Sequence, residues 1–239
     1  MTATLRTHRG QATLRFERQI RHRQERVWQA ITDPDELREW FPAAVIYEPR
    51  VGAPMQFDFG GAAGQDVWPG EVVAWDPPRA FAFRWGEDEL RFELAPADEG
   101  TLLVFTHSFT HQPGKPARDA AGWEACFEAF DALLDAAPRR PGDFDWAGHH
   151  ERYLTEFGEL TVEDDSERRR VRLTGPYQDL DGHRAVNVQL DSDGAAVLVV
   201  RDQGAPLADG APVEVRAGSV DAPGETVARG RLRDPLATA

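Results

Sequence analysis

The sequence predicts a mixed α+β fold: antiparallel strands, preceded by short helices and followed by one long helix, with a thinner β-rich module after them. Three observations carry this. All seven Trp and all thirteen Phe lie at or before Phe157, and beyond it the only aromatic residue is Tyr177. Aromatic side chains bury the most surface per residue, so their end marks a boundary between a thick core and a thin one. The hydrophobic period then switches from 2 to 3.6 along the first part, and turn residues follow one another too closely for crossover helices. The expected organisation is one domain over residues 1–158 and a small β-rich extension over 159–239.

In residues 13–21, Leu14, Phe16 and Ile20 alternate with charged neighbours, as in a strand with one wet face. Val27, Trp28 and Ile31 fall at helical spacing and give a short amphipathic helix. A second helix starts where Asp33 caps, Pro34 suits the first helical position and Glu36 stands in the capping-box place; Pro42 ends it. From residue 45 to residue 109 the chain reads as a meander. Met55, Phe57 and Phe59 alternate, then residues 70–75, then Phe81, Phe83 and Trp85, then residues 90–94, and the last strand runs through Leu102, Val104 and Thr106. The glycine-rich stretch 60–64 opens no helix and has no following Lys, so it reads as a hairpin loop or mobile lid rather than a phosphate cradle. Residues 117–136 carry Trp123, Phe127, Phe130 and Leu134 at three- and four-residue steps, giving a long helix with one broad apolar face. Past Phe157, residues 163–170 read as a charged linker. Five Val-, Leu- and Ala-bearing strands then follow, at 171–173, 185–190, 195–200, 213–216 and 227–232, with Asp193-Gly194 as a hairpin signal. They form a small β module or an extension of the sheet.

This order, together with VWQAITDPDELREWF over 27–41, the Asp76-Pro77-Pro78 of residues 70–79, GTLLVFTH over 100–107, and Trp123 just after Gly122, resembles the START-like (SRPBCC) helix-grip superfamily. Within it the resemblance is to the branch like the activator of heat shock protein 90 ATPase homologue. It implies a curved antiparallel sheet wrapped around the long helix. Such a sheet leaves an apolar space where a small ligand would sit. The eukaryotic activator has an N-terminal domain for which residues 1–11 are too short, so a co-chaperone role is not carried over.

Net charge is −14, and both parts of the chain are acidic. Nucleic acid and anionic membrane surfaces need a positive footprint and are not expected partners. A single cysteine, Cys126, excludes an intramolecular disulfide and a Cys-based zinc site. The polar opening run and the lack of a long apolar stretch point to a soluble, cytoplasmic setting.

The cavity candidates are Trp40, Phe41, Trp68, Trp85, Phe105, His107, Trp123 and Phe127, with Trp40, Trp68 and Trp85 near element ends where a mouth would form. Trp28 and Trp75 read as packing residues, and Trp123 as packing as well as lining. Glu71, Arg84, Arg91, Glu93 and His107 lie on strands, where whichever faces inward would be partly desolvated. None of the four serines sits in a nucleophile elbow. Cys126 shares the apolar face of the long helix and reads as a small hydrophobe. His107 and His111 would lie roughly 13 Å apart in extended chain, too far to share a metal. No catalytic group, metal site or cofactor is assigned. The expected partner is a small apolar or aromatic molecule, held by a carrier or sensor. The rivals are a cyclase, dehydratase or hydrolase of the polyketide type using the same space, and a stress-related, co-chaperone-like module docking a protein through the C-terminal extension.

Overall fold

The computed structural model describes residues 2–60, 67–137, 139, 141–164, 168–180, 183–191, 194–201 and 206–237. Contacts divide the chain into two units: Met1–Thr110 with Ala120–His149, and His111–Asp119 with His150–Ala239.

The first unit holds β1 (Thr4–His8), β2 (Gln11–Ile20), α1 (Gln24–Thr32), α2 (Pro34–Trp40), β3 (Ala44–Tyr47), β4 (Pro54–Asp58), β5 (Val67–Asp76), β6 (Ala80–Trp85), β7 (Asp88–Ala97) and β8 (Gly100–Thr110). It also holds most of α3 (Lys115–Leu134) and the start of α4 (Trp146–Phe157). The sheet is antiparallel throughout, in the order β1-β2-β8-β7-β6-β5-β4-β3, so the last strand of the meander sits beside the first long one. The α+β class and the sheet closed by a long helix are as the sequence predicts. Asp33 caps α2 through Asp35 N at 2.9 Å and Glu36 N at 3.3 Å. The Glu36 carboxylate takes Arg26 Nη1 at 2.5 Å.

Alternation on β8 places Leu103, Phe105, His107 and Phe109 on the buried face, and α3 lays Trp123 and Phe127 against them. Phe16, Phe57, Phe81, Phe92, Phe105, Phe109, Phe127, Phe130 and Trp40 are all fully buried. Each such side chain contributes about 1.5–3 kcal/mol of burial, with ring pairing in addition. Two elements go unforeseen. Strand β1 lies inside the polar opening run, where an edge strand needs no apolar face. Helix α4 is written WAGHHERYLTEF, whose charged and histidine residues hide its period.

The second unit is a closed six-stranded barrel, ordered β10-β11-β12-β13-β14-β9. Its strands are β9 (Leu160–Asp164), β10 (Arg168–Leu180), β11 (His183–Leu190), β12 (Ala195–Val200), β13 (Pro212–Ser219) and β14 (Ala222–Arg233). The expected charged linker over 163–170 is corrected here. Glu163 pairs with Arg168 and Arg231, and Arg169 and Arg170 extend β10, because in a closed barrel charged residues can alternate outward while Leu160, Val162 and Val171 point inward. Strand β12 is buried on both faces: Ala196, Leu198 and Val200 face the barrel core, while Val197 and Val199 pack with Ala185 and Val220. The loop expected at 61–64 and Asp193 of the hairpin signal lie outside the described residues.

Candidate functional site

The rings of the first unit form one connected set. Phe105 and Trp123 have centroids 4.7 Å apart, Trp123 and Phe41 5.7 Å, and Phe41 and Trp85 5.9 Å. Trp85 then stacks between Phe57 at 5.2 Å and Phe59 at 5.3 Å, and Phe59 meets Trp68 edge-on at 6.5 Å. Burial falls along this path. Phe41 and Trp123 are buried and Trp85 half-buried, while Phe59 is 39% and Trp68 55% exposed. Aromatic contact thus runs unbroken from the core to solvent.

A glycine makes the outer end of this path possible. Gly70 lies opposite both Met55 and Trp85, and a Cβ there would stand 2.2 Å from the Arg84 carbonyl oxygen and 2.5 Å from the Phe57 ring. Only a residue with no side chain lets Phe57 lie across the strand and reach Trp85.

At the inner end stands a polar relay. Trp123 Nε1 donates to His107 Nδ1 at 3.0 Å, and His107 Nε2 is 2.9 Å from Asp88 Oδ2. An indole N–H can only donate, so Nδ1 is the acceptor and the ring proton sits on Nε2, which donates to Asp88. Both imidazole nitrogens are therefore engaged.

Of the residues singled out from the sequence, Phe41, Trp85, Phe105, His107 and Trp123 come together at this site. Trp68 joins them only through Phe59. Trp40 and Phe127 belong to the deeper core. Trp40 is fully buried, donates to the Ala30 carbonyl at 2.9 Å and packs on Phe92 and Phe130, so its expected place at a mouth is corrected. Trp28 and Trp75 pair edge-on at 5.2 Å, as packing residues do. Sequence reading missed Asp88, Phe57 and Phe59. The two phenylalanines were visible as strand alternation, but Asp88 looked like one more acid in a turn.

Among the described residues, the space between α3 and the sheet is occupied by rings in contact. A concavity of ≈ 380 Å³ lies instead along Leu154, Thr155, Gly158, Glu159, Thr161 and Arg170 in the second unit. Another of ≈ 210 Å³ lies against Arg18, Glu124, Phe127, Glu128 and Asp131 in the first.

The remaining reactive groups have structural partners. Glu71, Arg84 and Glu93 are exposed and Arg91 ion-pairs with Glu93, leaving His107 as the one inward member of that set. His111 Nε2 meets Asp234 Oδ2 at 2.6 Å, whereas His107 pairs with Asp88 and Trp123. Burial pushes the Cys126 thiol up to about 12, which leaves it a small apolar filler. The Tyr47 hydroxyl is raised by burial, with the Asp33 carboxylate adding to it, and donates to the Thr32 carbonyl at 2.5 Å. Ser108 bonds Thr13 at 3.1 Å; Ser166 and Ser192 lie outside the described residues. No helix among the described residues is long and apolar enough to cross a membrane.

Residues 21–135 match the family model described as Activator of Hsp90 ATPase homolog 1-like protein. A conserved protein of unknown function from Enterococcus faecalis superposes with a TM-score of 0.55 at 21% identity, over 64% of this chain and 89% of its own, which supports the fold. CalU16 from Micromonospora echinospora matches at TM-score 0.48 and 21% identity, over 64% of this chain and 94% of that one. The Aha1 dimer from Colwellia psychrerythraea matches at 0.46 and 20%, over 52% and 97%. Curated proteins give no match.

Proposed function

We propose, from the match of residues 21–135 to the family model of activator of Hsp90 ATPase homolog 1-like proteins, that the domain over residues 1–158 binds a small apolar or aromatic molecule at the outer end of its ring path. The observation that carries this reading is the exposure gradient from buried Phe41 and Trp123 through half-buried Trp85 to exposed Phe59 and Trp68. A flat apolar molecule stacked there covers surface that the fold leaves wet, and rings already in contact lose little freedom when it arrives. The ligand seat is thus the rim of the grip, continuous with the packed interior.

A polyketide-type enzyme in the same place has less support. His107 spends both ring nitrogens on Trp123 and Asp88, so a substrate would have to displace one of them before the imidazole could move a proton. Binding without turnover is the reading this relay favours.

Native mass spectrometry of protein purified from its source, together with thermal shift against a panel of aromatic metabolites, tests it. A retained small molecule or a raised melting temperature is expected. Trp85→Ala should weaken that binding about tenfold or more, as loss of a central aromatic contact does. Absence of any retained molecule, with no melting shift across the panel, would sink the proposal.

A further inference from the structure

The two exposed rings of the path stand at a steep angle to each other. The planes of Phe59 and Trp68 are 72° apart, and Phe59 gives one face to Trp85. What they leave to solvent is a corner of two aromatic walls rather than a flat platform. The face of a ring carries the negative part of its quadrupole, so exposed faces attract positive charge.

Carboxylates stand beside both rings. Asp58 closes a turn around Phe59, its Oδ1 accepting from Gly60 N at 2.8 Å, and it lies opposite Val67, the residue before Trp68. On the other flank, Gly86 N donates to the Pro69 carbonyl at 3.4 Å. That bond ties the turn bearing exposed Glu87 to the residue after Trp68.

Positive charge is scarce on these strands. Residues 54–90 hold seven Asp or Glu against two Arg. Arg79 is spent on Asp76, bonding its two carboxylate oxygens at 2.9 and 3.0 Å at the far end of the β5-β6 hairpin. Arg84 adjoins Trp85 on β6, so its side chain leaves by the opposite face, where Glu71 and Glu89 lie across from it. An anion at the corner would meet repulsion with no cation from these strands to answer it. A cation would be drawn by the rings and the carboxylates together.

We propose that the molecule bound at this rim is an organic cation, whose ammonium or quaternary ammonium head fills the corner of Phe59 and Trp68 while its apolar body lies along the path towards Trp85. The proposal rests on the rim seat described above and adds the sign of the ligand's charge. Attraction to wet ring faces and to screened carboxylates is modest, so it supplies selectivity more than affinity.

The test titrates the full chain at neutral pH and low salt with benzylammonium, benzyl alcohol and phenylacetate, which share a ring and differ in charge. Binding is read by tryptophan fluorescence and melting temperature. Benzylammonium is expected to bind roughly threefold or more tighter than benzyl alcohol, with phenylacetate weakest and the lead of the cation shrinking as salt is added. Trp68→Leu keeps apolar surface but removes a ring face, and should erase most of that lead. Asp58→Asn combined with Glu87→Gln should reduce the lead and its dependence on salt. Benzyl alcohol held as tightly as benzylammonium overturns the charge preference and leaves the seat standing. Binding of none of the three removes the seat, and this proposal with it. A lead that survives unchanged in both variants overturns the placement of the head at this corner.

Discussion

The two units bury apolar surface with different materials. The first fills the space between an open eight-stranded sheet and a helix with aromatic rings; the second fills a closed barrel with Val, Leu and Ala. Geometry accounts for the difference. A sheet gripping a helix must span the gap between two layers, and rings reach across it. A six-stranded barrel has a narrow bore that short aliphatic chains fill, and its closure already pairs every strand. The rings also bring polar tips, and Trp123 uses its own to hold His107 within the core of the first unit.

All seven tryptophans lie in the first unit, which makes the comparison measurable: fluorescence reports that unit and circular dichroism reports both. The largest effect is expected from Phe105→Ala, which removes a fully buried ring touching Phe92, Trp123 and Phe127. It should cost about 3–5 kcal/mol in the fluorescence-detected denaturant transition. Leu198→Ala in the barrel should cost about 2–5 kcal/mol in the dichroism transition and leave the fluorescence midpoint in place. Equal shifts in both probes would break the comparison, because the units would then unfold together.

Acid sharpens it next. Burial, with the Arg118 and Arg172 charges, lowers the buried His150 of the second unit from 6.5 to about 4. Above pH 6.5 this histidine is neutral folded and unfolded, and costs nothing. As the pH falls towards 4 the unfolded chain takes up a proton that the folded one refuses, so stability declines through that window and levels off below it. Between pH 6.5 and 5 the loss should reach about 2 kcal/mol and be absent in His150→Asn, as pH-dependent denaturation would show. The smallest effect belongs to the relay. Trp123→Phe keeps a ring but leaves His107 Nδ1 without its donor, and should cost about 1–2 kcal/mol beside a shift in the His107 imidazole NMR signals.

The same contrast explains what could be read from the sequence. Alternating Phe57 with Phe59, and Phe81, Phe83 with Trp85, made the sheet legible, because each side chain states which face is buried. Rings four residues apart did the same for α3. Five of the six barrel strands were legible singly and β9 was not, and nothing in a valine-rich run says whether a sheet stays open or closes. The register of β14 on β9 joins residues some seventy positions apart. For the candidate site, five of the eight expected residues meet, since inward rings on one face tend to touch. The relay was not legible: His107 and Trp123 are sixteen residues apart on different elements, and Asp88 enters from the first position of β7. Trp40 was misplaced because a helix-end position in sequence says nothing about depth.

Closure of the barrel has a consequence for how the chain can be cut and joined. Thr161 on its first strand lies opposite Arg233 on its last, so the module begins and ends at one spot. Joining those two strand ends and re-opening the barrel at another loop would therefore need no stretching of the backbone at the junction.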